Sequence, residues 1–363
     1  MLRRELRPWT LRLDADMREL PAEVRQEGAR VLGCSAADLS LVSTTSAGLV
    51  TVARGLPLSA GDGVVLPAGA FPSNAWPWLA LEAEGSRVRQ VPLWDGHLAG
   101  AGAWDSAPPP PGVDPESRLL GALEPETAVL AVSWVRFQDG LVLDLRRLAE
   151  GCRRRGVRLV VDGIQGAGLL LPELAGVSAF VAGGHKGLLG VQGSGLLWTS
   201  PETRREMGAM GSWLSVEQGL DFSRPSTDLD RAWLDDGRRL EQGVPNLVGL
   251  AILHRSLALL AEVGVAAIAA HVAELRCHLI EGLGESRQWR AEGERLAALA
   301  ARGRLGPIVA LHHGHRGQAF LEAVLRRGFA EKIYASVREG YLRLSFHGWH
   351  SHADVDRILA WLG

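Results

Sequence analysis

VRLVVDGIQGAGLLLPELAGVSAFVAGGHKGLLGVQGSGLLW, residues 157–198, opens on an apolar β-branched run, Leu159 to Val161, too short for a helix and ending on a lone acid, Asp162. That pattern suits a buried parallel strand whose carboxyl end faces a ligand crevice. A second short strand, Ala179 to Val181, runs into Gly183-Gly184-His185-Lys186, and a third, Ser194 to Trp198, follows the loop Gly187 to Gly193. Composition singles out Lys186: of 39 basic residues, only Lys186 and Lys332 are lysine. Arginine fills nearly every surface role of lysine but stays protonated, so a lysine in a Gly-rich loop points to an amine nucleophile that forms Schiff bases. A chance surface lysine is the alternative that the count leaves open.

The neighbouring residues narrow the choice. Asp162-Gly163-Ile164-Gln165, followed about twenty residues on by His185-Lys186, resembles the signature of the class V aminotransferases. These are fold-type-I pyridoxal phosphate (PLP) enzymes that include cysteine desulfurases, kynureninases and isopenicillin N epimerase-like proteins. The resemblance implies that Lys186 carries the cofactor as a Schiff base, that Asp162 pairs with the pyridine nitrogen and that Gln165 hydrogen-bonds the ring O3′. It places His185 near the cofactor phosphate. An ionised Asp keeps the pyridine nitrogen protonated, which makes the ring an electron sink for a carbanion at the substrate α-carbon.

With 363 residues, 47% of them hydrophobic, the chain can bury a large core divided between two domains. A net charge of −2 without a basic segment argues against nucleic acid as a partner. The first twenty residues are charged throughout, and no apolar run approaches the roughly 18 residues of a membrane helix, so a cytoplasmic protein is expected. Cys34, Cys152 and Cys277 are far apart and outside any C-x-x-C arrangement, so they read as ordinary thiols and no metal site is expected.

Glu23 to Leu32 reads as an amphipathic helix ending at Gly33, and Asp38 to Val42 as a strand. Relatives usually begin with a further segment that enters the active site; here it is expected to be short or absent. Ser43-Thr44-Thr45-Ser46 leads into the helical run AGLVTVARGL. Hydroxyl residues there cap free N–H groups, and the same helix start favours a phosphate. A plain N-cap explains the residues equally well, but they resemble the family's T-T-E-A-I-N-L-V-A element, which puts Thr45 and Ser46 on phosphate-binding positions.

Gly61-Asp62-Gly63 turns into the strand Val64 to Leu66, and Phe71-Pro72-Ser73-Asn74 follows. That motif resembles the one whose aromatic residue stacks on the PLP ring, so Phe71 is the candidate; an ordinary core Phe is the alternative. Residues 99–127, with Pro108 to Pro111, read as a surface loop. The pattern resumes with the strand Ala128 to Ser133 and the helix Leu145 to Arg155, and the βαβ alternation argues for a mostly parallel sheet covered on both faces. Phe137 stands where desulfurases have an Asn near the cofactor, and no role is assigned to it.

Arg238 to Asn246, RRLEQGVPN, resembles the R-x-x-E-x-G-T-P-N turn that reaches the phosphate of the neighbouring subunit in a dimer, with Gly243 as the contact. Val244 replaces the Thr of that turn, and Gly183 replaces a phosphate-binding Ser. Helices are expected at Leu247 to Leu260, His271 to Leu283, Gln318 to Arg327 and from Ala353. Strands are expected at Ile308 to Leu311, Ile333 to Val337 and Tyr341 to Ser345, and Ser351 with Asp354 makes a capping box. Arg343, in GYLRLS, resembles the R-x-S arginine that holds the substrate α-carboxylate, a task suited to a bidentate guanidinium; a structural salt bridge is the alternative. His347, His350 and His352 are crowded but lack a ligating acid or Cys, so they read as pocket wall or surface.

The resemblance runs from about Leu32 to Trp361. It implies an α/β fold-type-I PLP enzyme, homodimeric, with a large domain over 20–245 and a smaller α+β domain of 1–19 and 246–363. Desulfurases carry a nucleophilic Cys shortly before the R-x-S strand, and Gly314 to Tyr341 contains none, which argues against persulfide chemistry. β-Elimination from a cysteine-derived substrate is the expected reaction, with transamination or epimerisation as alternatives and decarboxylation also open. A catalytically silent binding protein on this fold is a further alternative, against which Lys186 and Asp162 stand.

Overall fold

Leu159 and Val161 point into one apolar core and Val160 into another, which is why all three positions are apolar without alternation. In the computed structural model, which describes residues 1–12 and 14–363, they form the middle of a central strand. The strands are β1 (Leu39–Val42), β2 (Gly63–Pro67), β3 (Arg87–Val91), β4 (Thr127–Ser133), β5 (Arg158–Asp162), β6 (Ala179–Gly183) and β7 (Gly195–Thr199). They lie in the order β1-β7-β6-β5-β4-β2-β3 as one seven-stranded sheet. β7 runs antiparallel to both its neighbours, and the remaining pairings are parallel. The exception has a local cause: β6 and β7 are joined by the Lys186 loop rather than by a crossover helix, and so short a link can only reverse the chain.

One sheet face is covered by helices Thr45–Gly55 and Pro72–Leu79, which contribute Leu49, Val52 and Trp78. The other is covered by Leu20–Leu32, Leu145–Arg153 and Leu247–Val263, which contribute Val24, Leu148 and Leu253. Each such side chain fully buried stabilises the fold by about 1.5–3 kcal/mol. The register Ser133↔Asp162 puts the last residues of β4 and β5 side by side at the carboxyl edge of the sheet, the edge at which ligands bind in open α/β folds.

The second sheet has the order β8-β10-β9, from β8 (Ile308–His312), β9 (Ser336–Arg338) and β10 (Tyr341–Ser345), all antiparallel. The strand expected at Ile333 to Val337 begins later, because the chain turns at Lys332 (φ 59°) and buries Ile333 beneath the turn. The helix read as His271 to Leu283 extends over Val265–Glu285, and a helix at Arg290–Ala301, whose Gly- and Glu-rich start masks its apolar face, packs on it. Residues 99–127 are not all surface loop. Helix Pro115–Gly121, capped by Asp114, buries Leu119 and also Glu116, whose carboxylate holds Arg304 at 2.6 and 2.7 Å. The Ser351–Asp354 capping box is present on helix His352–Leu362. Among the described residues, no single helix is long and apolar enough to cross a membrane.

Candidate active site

Asp162 ends β5 with 3% of its surface exposed. Its Oδ1 accepts the Ile164 N–H at 3.1 Å. Burial pushes its carboxyl up to about 6; the Ile164 bond, the Lys186 charge and the Ser133 hydroxyl pull it part of the way back. Burial likewise lowers the Lys186 ammonium, Asp162 raises it again and Arg343 lowers it further. Lys186 Nζ lies 5.9 Å from the centroid of the Phe71 ring, which is 39% exposed. Lys186 therefore stands beside Phe71 and within electrostatic reach of both Asp162 and Arg343. Gln165, half-buried, lies on the turn that follows Asp162.

The helix start at Thr45 explains the glycine at position 183. Gly183 N–H donates to Thr45 Oγ1 at 2.9 Å, and a Cβ on Gly183 would stand 3.0 Å from that oxygen and 3.2 Å from His185 Cε1. Thr45, Gly183 and His185 thus converge, and a serine at 183 would crowd the hydroxyl already there. Thr44 is the N-cap, its Oγ1 accepting from Ala47 N–H, so Thr45 keeps its own hydroxyl proton for an acceptor. Ser46 is exposed and its Oγ lies 2.7 Å from Ser73 Oγ. Gly243 is elsewhere. Its turn (φ 110°) faces Ser43, Ala47 and Thr51 across a hollow of about 220 Å³ that includes neither Lys186 nor Asp162.

Arg343 lies on β10 opposite Ala310 and Ser336. Among the described residues no carboxylate comes within salt-bridge distance of it, and its Nε is buried without a hydrogen-bond partner. Burial and the like charge of Arg338 pull the guanidinium down to about 10, against the opposing pull of Asp139. The structural salt bridge that could have explained Arg343 is absent among the described residues.

The sequence matches the aminotransferase class-V family over residues 10–358. The chain belongs to the aminotransferase class-V family. It is 28% identical to isopenicillin N epimerase of Streptomyces clavuligerus, over 95% of this chain and 85% of that protein. To cysteine desulfurase of Dickeya dadantii (strain 3937) it is 27% identical, over 94% and 80%. Its fold is similar to that of the cystine C-S lyase C-DES in complex with cysteine persulfide, with a TM-score of 0.77 at 21% identity, covering 96% of this chain and 87% of that one. The fold is that of the fold-type-I PLP enzymes, and the protein is a PLP-dependent enzyme of this class-V family.

The residues present fit that cofactor: a buried acid, an amine of lowered basicity, a half-exposed aromatic ring and a helix start with a free hydroxyl line one crevice. Three further groups make contacts that no reading of motifs supplies. Glu241, inside the RRLEQGVPN turn, serves the fold: its carboxylate takes Arg25 Nη2 at 2.6 and 2.8 Å and the Leu41 N–H at 2.9 Å. His347 is not on the surface. It is buried, and its Nε2 donates to Gly187 O at 3.0 Å, fastening the residue after the lysine. His350 Nδ1 accepts the His347 N–H, and His352 lies against His278, so the three imidazoles do not converge. Among the described residues no group of His, Cys, Asp and Glu is placed to hold a metal. Arg136, finally, is buried with Nε donating to Asp139 Oδ2 at 2.9 Å and Nη1 to Ala68 O at 3.3 Å. No local motif announces that pair.

Proposed function

We propose that the protein catalyses β-elimination from a cysteine-derived amino acid, releasing a thiol, pyruvate and ammonia. The observation that carries this reading is an amine of lowered basicity in a crevice with an unpartnered arginine, on a chain without a cysteine from Gly314 to Tyr341 to accept sulfur. In this reading Thr45, Ser46 and His185 hold the cofactor phosphate, Phe71 covers one ring face, Gln165 meets O3′ and Asp162 holds the pyridine-nitrogen proton. Lys186 is the Schiff-base residue. PLP, when bound, supplies the electron sink that makes the substrate α-proton removable. Lys186 Nζ, with its basicity lowered by burial, takes that proton. Arg343 holds the α-carboxylate and so fixes which α-carbon bond faces the amine. Once the α-proton is gone, a β-thiolate leaves without a further nucleophile, so elimination needs no group that the crevice lacks.

Gly243, set apart from Lys186 within its own chain, is assigned to a second copy's phosphate in a homodimer. We place the domain boundary near 245, just before Asn246 caps helix Leu247–Val263, with 1–19 counted with the smaller domain. A cytoplasmic location accords with this reading.

A single-turnover reaction with a cysteine S-conjugate, without added keto acid, tests the reaction. Thiol and pyruvate are expected, with no persulfide on the protein. A keto product still bearing its sulfur, with pyridoxamine phosphate accumulating, replaces elimination by transamination; a racemised substrate replaces it by epimerisation.

Arg343→Ala is expected to raise KM for α-amino acids far more than Arg343→Lys. Loss of a bidentate charge-assisted pair costs on the order of 2–5 kcal/mol, and lysine keeps the charge without the fork. Equal, unchanged KM values for both variants would move the carboxylate site to another residue.

A further inference from the structure

Phe137 has no part in the reaction described above, yet the loop that carries it is built to hold it still. Its neighbours Arg136, Gln138 and Asp139 are all buried, whereas Phe137 is half-exposed. Arg136 is tied to Asp139 and to Ala68 O, Gln138 Nε2 donates to Gly69 O, and Asp139 Oδ1 accepts the Leu141 N–H at 2.9 Å. Gly140 (φ 73°) lies so close to the Ile308 carbonyl oxygen that a Cβ there would strike it. The loop is thereby wedged against β8, whose Ala310 is paired with Arg343.

On its other side the Phe137 ring meets Phe71 edge-on, with centroids 5.1 Å apart and planes at 76°, and Phe71 is the ring that faces Lys186. Phe137 thus touches the ring that faces Lys186, on a loop wedged against the strand that pairs with the Arg343 strand. In the proposed function, an amino acid held at its α-carboxylate by Arg343 with its α-carbon at Lys186 lies beside this aromatic corner. The two rings offer neither donor nor acceptor. A polar β-substituent placed there loses its water without compensation, whereas an apolar one gains buried area.

We propose that Phe137, braced edge-on by the ring of Phe71, is the specificity-determining residue for the substrate side chain. It selects cysteines whose sulfur bears an apolar alkyl or aryl group over cysteine itself and over conjugates with charged groups. The inference rests on the proposed function for the placement of the α-carbon and carboxylate, but not on which bond breaks afterwards.

The test therefore uses amino acids without a leaving group. Dissociation constants of homophenylalanine and homoserine, the carbon analogue of an S-aryl cysteine and a short analogue ending in a hydroxyl at the position of the ring, are measured by calorimetry on the PLP-loaded enzyme. Wild type is expected to prefer homophenylalanine by on the order of tenfold or more. Phe137→Asn should bring the ratio close to one, and Phe137→Leu should leave an intermediate ratio. If Phe137→Asn does not fold by circular dichroism, Phe137→Leu carries the test. A ratio unchanged in the folded variant, or a wild-type preference for homoserine, overturns the proposal. Failure of the elimination reading appears separately, as sulfur retained on the product in the single-turnover reaction, and leaves these binding ratios interpretable.

Discussion

Lys186→Ala is expected to lower turnover by at least three to four orders of magnitude, since in the proposed mechanism Lys186 is both the attachment point of the cofactor and the base for the α-proton. The fold should survive. Among the described residues Lys186 Nζ makes no hydrogen bond, and burial already disfavours its charged form. Circular dichroism and the melting temperature of the cofactor-free protein should therefore match wild type. Borohydride reduction of the loaded wild type and peptide mapping should find the pyridoxyl group on Lys186. A label on Lys332, exposed at the far side of a turn, would overturn the assignment.

Asp162→Asn should slow turnover by at least about a hundredfold, because the amide cannot hold a proton on the pyridine nitrogen. The same substitution has the opposite effect on the fold. The carboxyl pKa of about 6 in the folded chain, against an ordinary 3.8, means that between about pH 4 and 6 the native state keeps a proton that the unfolded chain has released. Stability of the cofactor-free protein contributed by this group therefore falls as pH rises through that window, and the loss is complete above about 6. Asp162→Asn escapes the loss and should be the more stable protein at pH 7, by up to about 3 kcal/mol, with the gap closing toward pH 4. Urea denaturation at the two pH values measures it. A variant less stable than wild type at pH 7 would show that the carboxylate is favourably paired in the folded protein.

The parts of the candidate site legible in the sequence are those in which chemistry and chain order coincide. Asp162 and Gln165 share one turn, His185 and Lys186 are adjacent, and the alternation of strands and helices around them prescribes the large sheet. What stayed hidden depends on partners distant along the chain. Thr45 answers the missing side chain at Gly183 from 138 residues away, Glu241 holds Arg25 from 216 and His347 reaches Gly187 from 160. No local spacing encodes such pairs. Helix Arg290–Ala301 was missed for a different reason: a helix that is buried along a narrow line, with Gly293 inside it, leaves little periodicity to read.

The fastening of the lysine loop has a mechanical consequence. Gly187 O is held by His347, and Leu189 O takes the Ser256 hydroxyl at 2.8 Å. Two C-terminal segments therefore grip the reactive loop within three residues of the amine, while β6 and β7 hold its ends. Such a loop does not fray on its own. It can open only together with the segments that clasp it, which makes it part of a larger cooperative unit and not a local weak point. The Lys186 amine is accordingly as rigid as these two C-terminal segments are well docked, and damage to the fold far from the crevice reaches it by unclasping the loop.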